Sequence, residues 1–205
     1  TMKIKLYNND LPSNVKFTKS VAIDTETMGL NPLRDRLCLA QLSNGTGICH
    51  LVKFESKPPE PKNLISILKN KKILKIFHFA RFDIAVLKYT FKIDINNIYC
   101  TKIVSKLVRT FTDKHGYKDL CKELLNVQIS KSEQTTDWGK SKLTLAQQKY
   151  AATDVLYLHK IKDELNKILK RENRIELANA CFDFIKFRTN LDLEGWNNQD
   201  IFSHS

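Results

Sequence analysis

Apolar and polar positions alternate in short runs over the first part of the chain and shift to a three-to-four-residue repeat afterwards. Short, largely apolar runs at residues 3–7, 21–26, 37–42 and 47–53 predict strands, and the last three form a meander with turn chemistry at Ser43-Asn44-Gly45. The prolines of 57–61 mark a loop, because proline cannot continue a strand ladder. A short helix is expected over 63–70, capped by its leading Asn63, then a strand over 73–79 and a helix over 82–91. Residues 97–101 read as another strand, 102–110 and 117–124 as helices, and 144–170 as one long helix. A helical pattern from Arg171 to Phe187 is followed by apolar residues at 191–196 and at Ile201-Phe202, expected to dock on this protomer or on a neighbour. A meander followed by alternating helices and strands predicts an α/β domain, a mixed central sheet flanked by helices.

These elements aim a set of chemically competent side chains at one point. Asp24 and Glu26 end the apolar run Val21-Ala22-Ile23 and, two apart on a strand, share a face. Asp83 opens the helix after the 73–79 strand, where it can also interact with the helix dipole. Tyr150 and Asp154, four apart, stack on one helical face. Carboxylates that converge repel unless cations neutralise them, and hard oxygen ligands suit Mg²⁺ or Mn²⁺. Two such ions about 3.5–4 Å apart make the clamp of phosphoryl-transfer enzymes. The bland alternatives are solvated acids and a core tyrosine. An unpaired acid next to a wholly apolar run is costly, which favours ligation.

Asp24-Thr25-Glu26, His78-Phe79-Ala80-Arg81-Phe82-Asp83 and Tyr150-Ala151-Ala152-Thr153-Asp154 resemble, in order, the three motifs of the DEDD 3′→5′ exonucleases in their tyrosine form. Lys131-Ser132-Glu133-Gln134-Thr135-Thr136-Asp137-Trp138 is similar to the ribonuclease D-like branch. Residues 31–38, 76–87 and 200–205 resemble the short, stand-alone nanoRNase diribonucleases within it.

The resemblance implies a ribonuclease H-like fold in a single exonuclease domain spanning 1–205, without the helical accessory domains of ribonuclease D. It implies that Asp24, Glu26 and Asp154 hold one divalent cation, that Asp24 bridges to a second, and that Asp83 supports the second through water. It implies a closed homo-octamer, with the tail from about 171 to 205 helping to bury an interface. The activity implied is hydrolysis of very short single-stranded RNA, dinucleotides above all, to nucleoside 5′-monophosphates. A processing exonuclease on longer RNA or DNA is the rival of the same class, and a non-catalytic nucleic-acid-binding module the rival of another.

Substrate contacts read less sharply. Leu30 is either core or, as in related enzymes, a wedge between the last two bases. His78 and Phe79 either pack the strand end or meet the 3′ nucleotide. Arg109, His115, Lys118, Lys131 and Gln134 lie between the second and third motifs, as a solvated basic surface or as groups capping a 5′ phosphate. Asp137-Trp138 is expected to pack the loop leading into the long helix. A phenol is a poor base at neutral pH, so Tyr150 is expected to orient water rather than to deprotonate it.

Composition adds two points. The formal net charge of +12 favours an anionic partner such as nucleic acid, although the lysines are spread widely. Five cysteines without a Cys-x-x-Cys pair read as reduced and give no zinc site. With neither an apolar signal segment nor a run long enough to span a bilayer, a cytoplasmic protein without a membrane partner is expected.

Overall fold

A computed structural model describes residues 1–130 and 132–205. Its six-stranded sheet comprises β1 (Lys3–Asn8), β2 (Ser20–Thr27), β3 (Leu37–Ser43), β4 (Ile48–Lys53), β5 (Leu74–Phe77) and β6 (Ile98–Cys100). The strand order is β1-β4-β3-β2-β5-β6. The meander β2-β3-β4 is antiparallel, and β1, β5 and β6 join it by parallel pairing. The mixed α/β architecture is therefore as expected. Every residue of β3 is buried, which is why Leu37-Cys38-Leu39-Ala40 reads as a continuous apolar run: helices cover both faces.

The helices are α1 (Lys62–Lys69), α2 (Ala80–Phe91), α3 (Thr101–Val108), α4 (Tyr117–Leu125), α5 (Leu145–Leu156), α6 (Leu158–Arg171) and α7 (Ile175–Leu191). Two differ from the sequence reading in ways that matter. Asn63 does not cap α1. It lies inside the helix, and the cap comes from the β1–β2 connection, where the Asp10 carboxylate accepts the backbone N–H groups of Asn63 at 3.0 Å and Leu64 at 2.9 Å. The expected long helix over 144–170 is two helices that meet at Tyr157 (φ −107°, ψ −1°). Thr144 does open the first of them. Its hydroxyl accepts the Gln147 N–H at 3.1 Å while the Gln147 side chain accepts the Thr144 N–H at 3.0 Å, a reciprocal capping box.

The chain beyond α7 makes a π-helical turn over Asp192–Trp196 and folds back on its own domain. Arg81 of α2 grips Asp192 with two 2.7 Å bonds, and Arg188 donates to the carbonyls of Trp196 (2.6 Å) and Gln199 (3.0 Å). Phe202 stays exposed, its ring tilted against that of Phe184 with centroids 5.6 Å apart. Among the described residues no helix is long and apolar enough to cross a membrane.

Replacing Asp10 by Ala removes acceptors for two orphan N–H groups of α1. The expected cost is about 1 kcal/mol, read as a lower denaturant midpoint with an unchanged slope.

Candidate active site

The site forms where β2 and α5 face each other. Side chains alternate along β2, so Asp24 and Glu26 project to the face that α5 covers, and Asp154 of α5 meets them there. Carboxylate oxygens of these three residues lie within 4.8 Å of one another. At that separation, full charges repel by about 3–4 kcal/mol per pair at an effective dielectric near 20. Burial drives the Asp24 carboxyl up to about 7, opposed by hydrogen bonds from the Thr25 N–H and the Gln41 side chain. Burial is also the main force raising Glu26, joined by repulsion from Asp24, Asp154 and Asp83.

Thr25, between the two acids, points to the opposite face, and there its hydroxyl donates to the Asp83 carboxylate at 2.6 Å. Asp83 is buried in the first turn of α2, and burial followed by the charge of Asp24 holds its carboxyl well above the usual range. All four acids line one cleft, but not at equal separations. Three form the cluster, while Asp83 is joined to it through Thr25 and through the field of Asp24.

Tyr150 lies on α5 one turn before Asp154. Its ring packs against buried Trp138 with centroids 5.9 Å apart. Burial, then the nearby Asp154, Glu26 and Asp24, raises its phenol above the ordinary tyrosine range. It therefore keeps its proton at neutral pH and can donate a hydrogen bond, but cannot serve as a base.

These five residues line a cleft of about 610 Å³ together with Leu30, His78, Phe79, Lys102, Tyr117, Lys118, Gln134 and Trp138. Leu30 is 86% exposed, not core. The turn carrying it is braced from below. The Thr27 hydroxyl donates to the Gly29 carbonyl, and Asp35 accepts the Asn31 N–H at 2.9 Å. A Cβ on Gly29 would lie 2.4 Å from the Asp35 carboxylate, so only glycine leaves that bracing intact. Phe79 is the N-cap of α2 in the left-handed region (φ 62°, ψ 52°), a conformation that costs a phenylalanine about 1–3 kcal/mol and turns its ring outward. Lys102 sits 4.9 Å from the centre of that ring. The Thr101 hydroxyl donates to the Phe77 carbonyl (3.1 Å), so its 2.9 Å contact with His78 Nδ1 requires that nitrogen to carry the proton.

Two basic candidates lie elsewhere. Arg109 is 3% exposed and outside the cleft lining; it donates to Ser105 Oγ (3.2 Å) and the Lys114 carbonyl (2.8 Å), bracing the turn between α3 and α4. His115 shares Ser105 through Nδ1 at 2.8 Å and is likewise absent from the lining. A guanidinium fixed inside the protomer cannot cap a phosphate in this cleft. Lys131 lies outside the described residues.

The comparisons with known proteins fit this geometry. A 3′-5′ exonuclease family model matches residues 7–170. The chain belongs to the 3′-5′ exonuclease family. The curated relatives of this exonuclease include ribonuclease D of Gluconacetobacter diazotrophicus (31% identical over 158 residues, 76% of this chain and 39% of that protein). DNA polymerase I of Aquifex aeolicus is 33% identical over 150 residues, 71% of this chain and 24% of the polymerase. The exonuclease thus spans well under half the length of these relatives. Brucella melitensis NrnC bound to pGG matches over 100% of both chains at 50% identity with a TM-score of 0.96, and the same protein with bound Mg²⁺ gives 0.95 at 49%. Escherichia coli ribonuclease D aligns over 83% of this chain and 44% of its own, at 25% identity and a TM-score of 0.73. The ribonuclease D-like reading of the motifs stands, with NrnC as a full-length likeness.

Sequence reasoning passed over Gln41, Tyr117 and Lys102. Gln41 had a signal: it is the polar residue in Leu37-Cys38-Leu39-Ala40-Gln41-Leu42 and pairs with Asp24 across the β2–β3 ladder, to which its amide donates at 2.9 Å. Nothing local marks Tyr117.

The raised carboxyls set a sign for stability. Asp24 titrates near 4 when unfolded and near 7 when folded, so folding binds protons between those values. That contribution is present at low pH and is lost as pH rises through 7; Glu26 and Asp83 act in the same direction. His50, His115 and His159, held below their usual range by burial, oppose it only below about 6.5. In chelator the chain should therefore melt at a lower temperature at pH 8 than at pH 6.5, and Mg²⁺ should restore the loss at pH 8. Melts of Asp24→Asn should show a flatter slope over this window. A slope as steep as wild type would remove Asp24 from the cause.

Proposed function

We propose that this exonuclease is a metal-dependent 3′→5′ exoribonuclease acting on very short RNA, with 5′-phosphorylated dinucleotides as its foremost substrates and nucleoside 5′-monophosphates as products. The observation that carries this reading is the full-length match at 50% identity to an NrnC captured with pGG, on a chain whose five motif residues line one cleft.

The donor set fits divalent cations. Three carboxylates at mutual repulsive distance, each a hard oxygen donor, are better neutralised by Mg²⁺ or Mn²⁺ than by protons at neutral pH. Asp24, Glu26 and Asp154 would hold them, with Asp83 acting through water, and the bound cations would supply charge neutralisation at the scissile phosphate and a more acidic attacking water.

The chain's own groups account for the rest. Tyr150, protonated and steadied by Trp138, orients the attacking water by a hydrogen bond. Leu30 and Phe79 offer apolar faces to bases, a contact that tolerates any sequence. Lys102 and Lys118 bring positive charge to the cleft, and Gln134 adds an amide. His78, with Nδ1 committed to Thr101, faces the 3′ nucleotide. A cleft of about 610 Å³ is of small-ligand size rather than a long groove. Assembly into a homo-octamer, with exposed Phe202 and half-exposed Trp196 and Ile201 at an interface, completes the reading, and a cytoplasmic location suits it.

A length series of 5′-labelled RNAs from two to about twenty nucleotides, with Mg²⁺ or Mn²⁺, tests the substrate class. The phosphorylated dinucleotide should be consumed fastest in direct competition. Faster cleavage of the longer RNA would favour a processing exonuclease like ribonuclease D. Asp24→Asn should lose at least a hundredfold in turnover while retaining its circular dichroism spectrum. Tyr150→Phe should lower turnover with little change in KM, since its hydroxyl acts at the transition state. A Tyr150→Phe effect confined to KM would reduce the tyrosine to packing.

A further inference from the structure

The break between α5 and α6 falls three residues after Asp154, and its cause comes from another element. In an unbroken helix the Tyr157 N–H would donate to the Thr153 carbonyl. Instead the hydroxyl of Tyr117, the first residue of α4, stands between them. It donates to the Thr153 carbonyl at 2.6 Å and accepts the Tyr157 N–H at 3.2 Å. The Tyr117 side chain is half-buried, and burial of its hydroxyl end raises the phenol well above the ordinary range, so it is a fixed donor to Thr153. Insertion of a polar group into the i→i−4 ladder is a recognised cause of helix kinks. The last turn of α5 carries Asp154, and the carbonyl held by Tyr117 is the one immediately before it.

We infer that Tyr117 is a positioning residue for the cation site: by splitting the Thr153–Tyr157 hydrogen bond it sets the direction in which α5 ends, and so the place where the Asp154 carboxylate meets Asp24 and Glu26. The surroundings support this role. α5 packs on β2, β3 and β4, while α6 packs on α3 and α4. A straight helix could satisfy only one of these surfaces. Tyr117 also packs against His78 on the strand-end side of the cleft, with ring centroids 6.0 Å apart, so the same side chain links the second and third motifs. Removing the hydroxyl lets the Tyr157 N–H close on Thr153 and pulls the end of α5 toward a straight course. A displacement of about 1 Å is enough to spoil a ligand set of this kind.

The inference rests on the reading that Asp24, Glu26 and Asp154 hold a cation, and its deciding measurement, cation binding, needs no nucleic acid. Mn²⁺ binding to the full chain, followed by the spectroscopic signal of free Mn²⁺, should weaken at least fivefold in Tyr117→Phe, a variant that differs by one oxygen and keeps the ring. Leu120→Ala, a buried packing change on the same helix, should lower the melting temperature but leave Mn²⁺ affinity within twofold of wild type. Turnover of the phosphorylated dinucleotide by Tyr117→Phe should fall about tenfold, with KM within twofold. A measurement on the wild-type chain covers the case in which Tyr117→Phe cannot be purified. Coupling between sites is reciprocal, so Mg²⁺ should slow amide exchange of Tyr157 at least fivefold. Wild-type chain that binds no Mn²⁺ would overturn the cation site itself. Wild-type and Tyr117→Phe chains that bind Mn²⁺ equally, or a Tyr157 amide indifferent to Mg²⁺, would overturn the positioning role alone.

Discussion

Mutual repulsion among three half-buried acids is the constraint around which this fold is built. Asp24, Glu26 and Asp154 bring their oxygens within 4.8 Å of one another in surroundings that already disfavour charge. A soft scaffold would relax by moving them apart. Here two of them are fixed by the ladder of β2, which pairs with β3 along Asp24 and Glu26 and with β5 just before them, at residues 20–22. The third is fixed by α5, capped at its start by the Thr144–Gln147 box and bent at its end around Tyr117. The polar groups that soften the repulsion are also built in: the Gln41 amide on Asp24 and the Thr25 hydroxyl on Asp83. A site held together against its own charge is one that gains most when a cation arrives, so structural rigidity and cation affinity have the same origin.

Where the acids are, and what faces them, follows from the same strand. Alternation along β2 gives Asp24 and Glu26 to one helix and Thr25 to another, so one short segment couples α5 and α2 to a common point. The far wall of the cleft is made differently. Leu30 and Phe79 are apolar side chains held in water, one by a braced turn with no room for a Cβ at Gly29, the other by a left-handed backbone at the head of α2. Exposing them lowers stability, and the fold offsets that elsewhere with a core drawn from β2 to β6 and the helices. Unfavourable exposure maintained by specific backbone geometry is the mark of a contact surface.

Much of this was legible in the sequence because it depends on local period. Period two placed Asp24 and Glu26 on one face, and period 3.6 stacked Tyr150 on Asp154 in a helix expected to start at Thr144. What could not be read depends on contacts distant along the chain. Leu158, Ile161, Leu165 and Leu169 continue the apolar repeat of α5 into α6, so the sequence reads as one helix; the hydroxyl that splits it comes from Tyr117. The cap of α1 is carried by Asp10 rather than by the adjacent Asn63. Arg109 looked like a free cation in a basic stretch, yet Ser105 and the Lys114 carbonyl hold it inside the protomer. In each case the deciding partner is a hydrogen-bond acceptor or donor that periodicity does not register.

The displacement of Arg109 from the cleft also changes how the positive charge of the chain should be understood. Of the basic residues considered for a phosphate, Lys118 remains at the site, joined by Lys102, and both are flexible ammonium groups rather than planar forks. An ammonium gives strength without strict geometry, whereas a bidentate guanidinium would fix the orientation of a phosphate. On the proposed reading, a substrate is oriented by the apolar faces of Leu30 and Phe79 and by the carboxylate cluster, with the lysines raising affinity. Salt should accordingly weaken binding of an anionic substrate while leaving the position of cleavage unchanged.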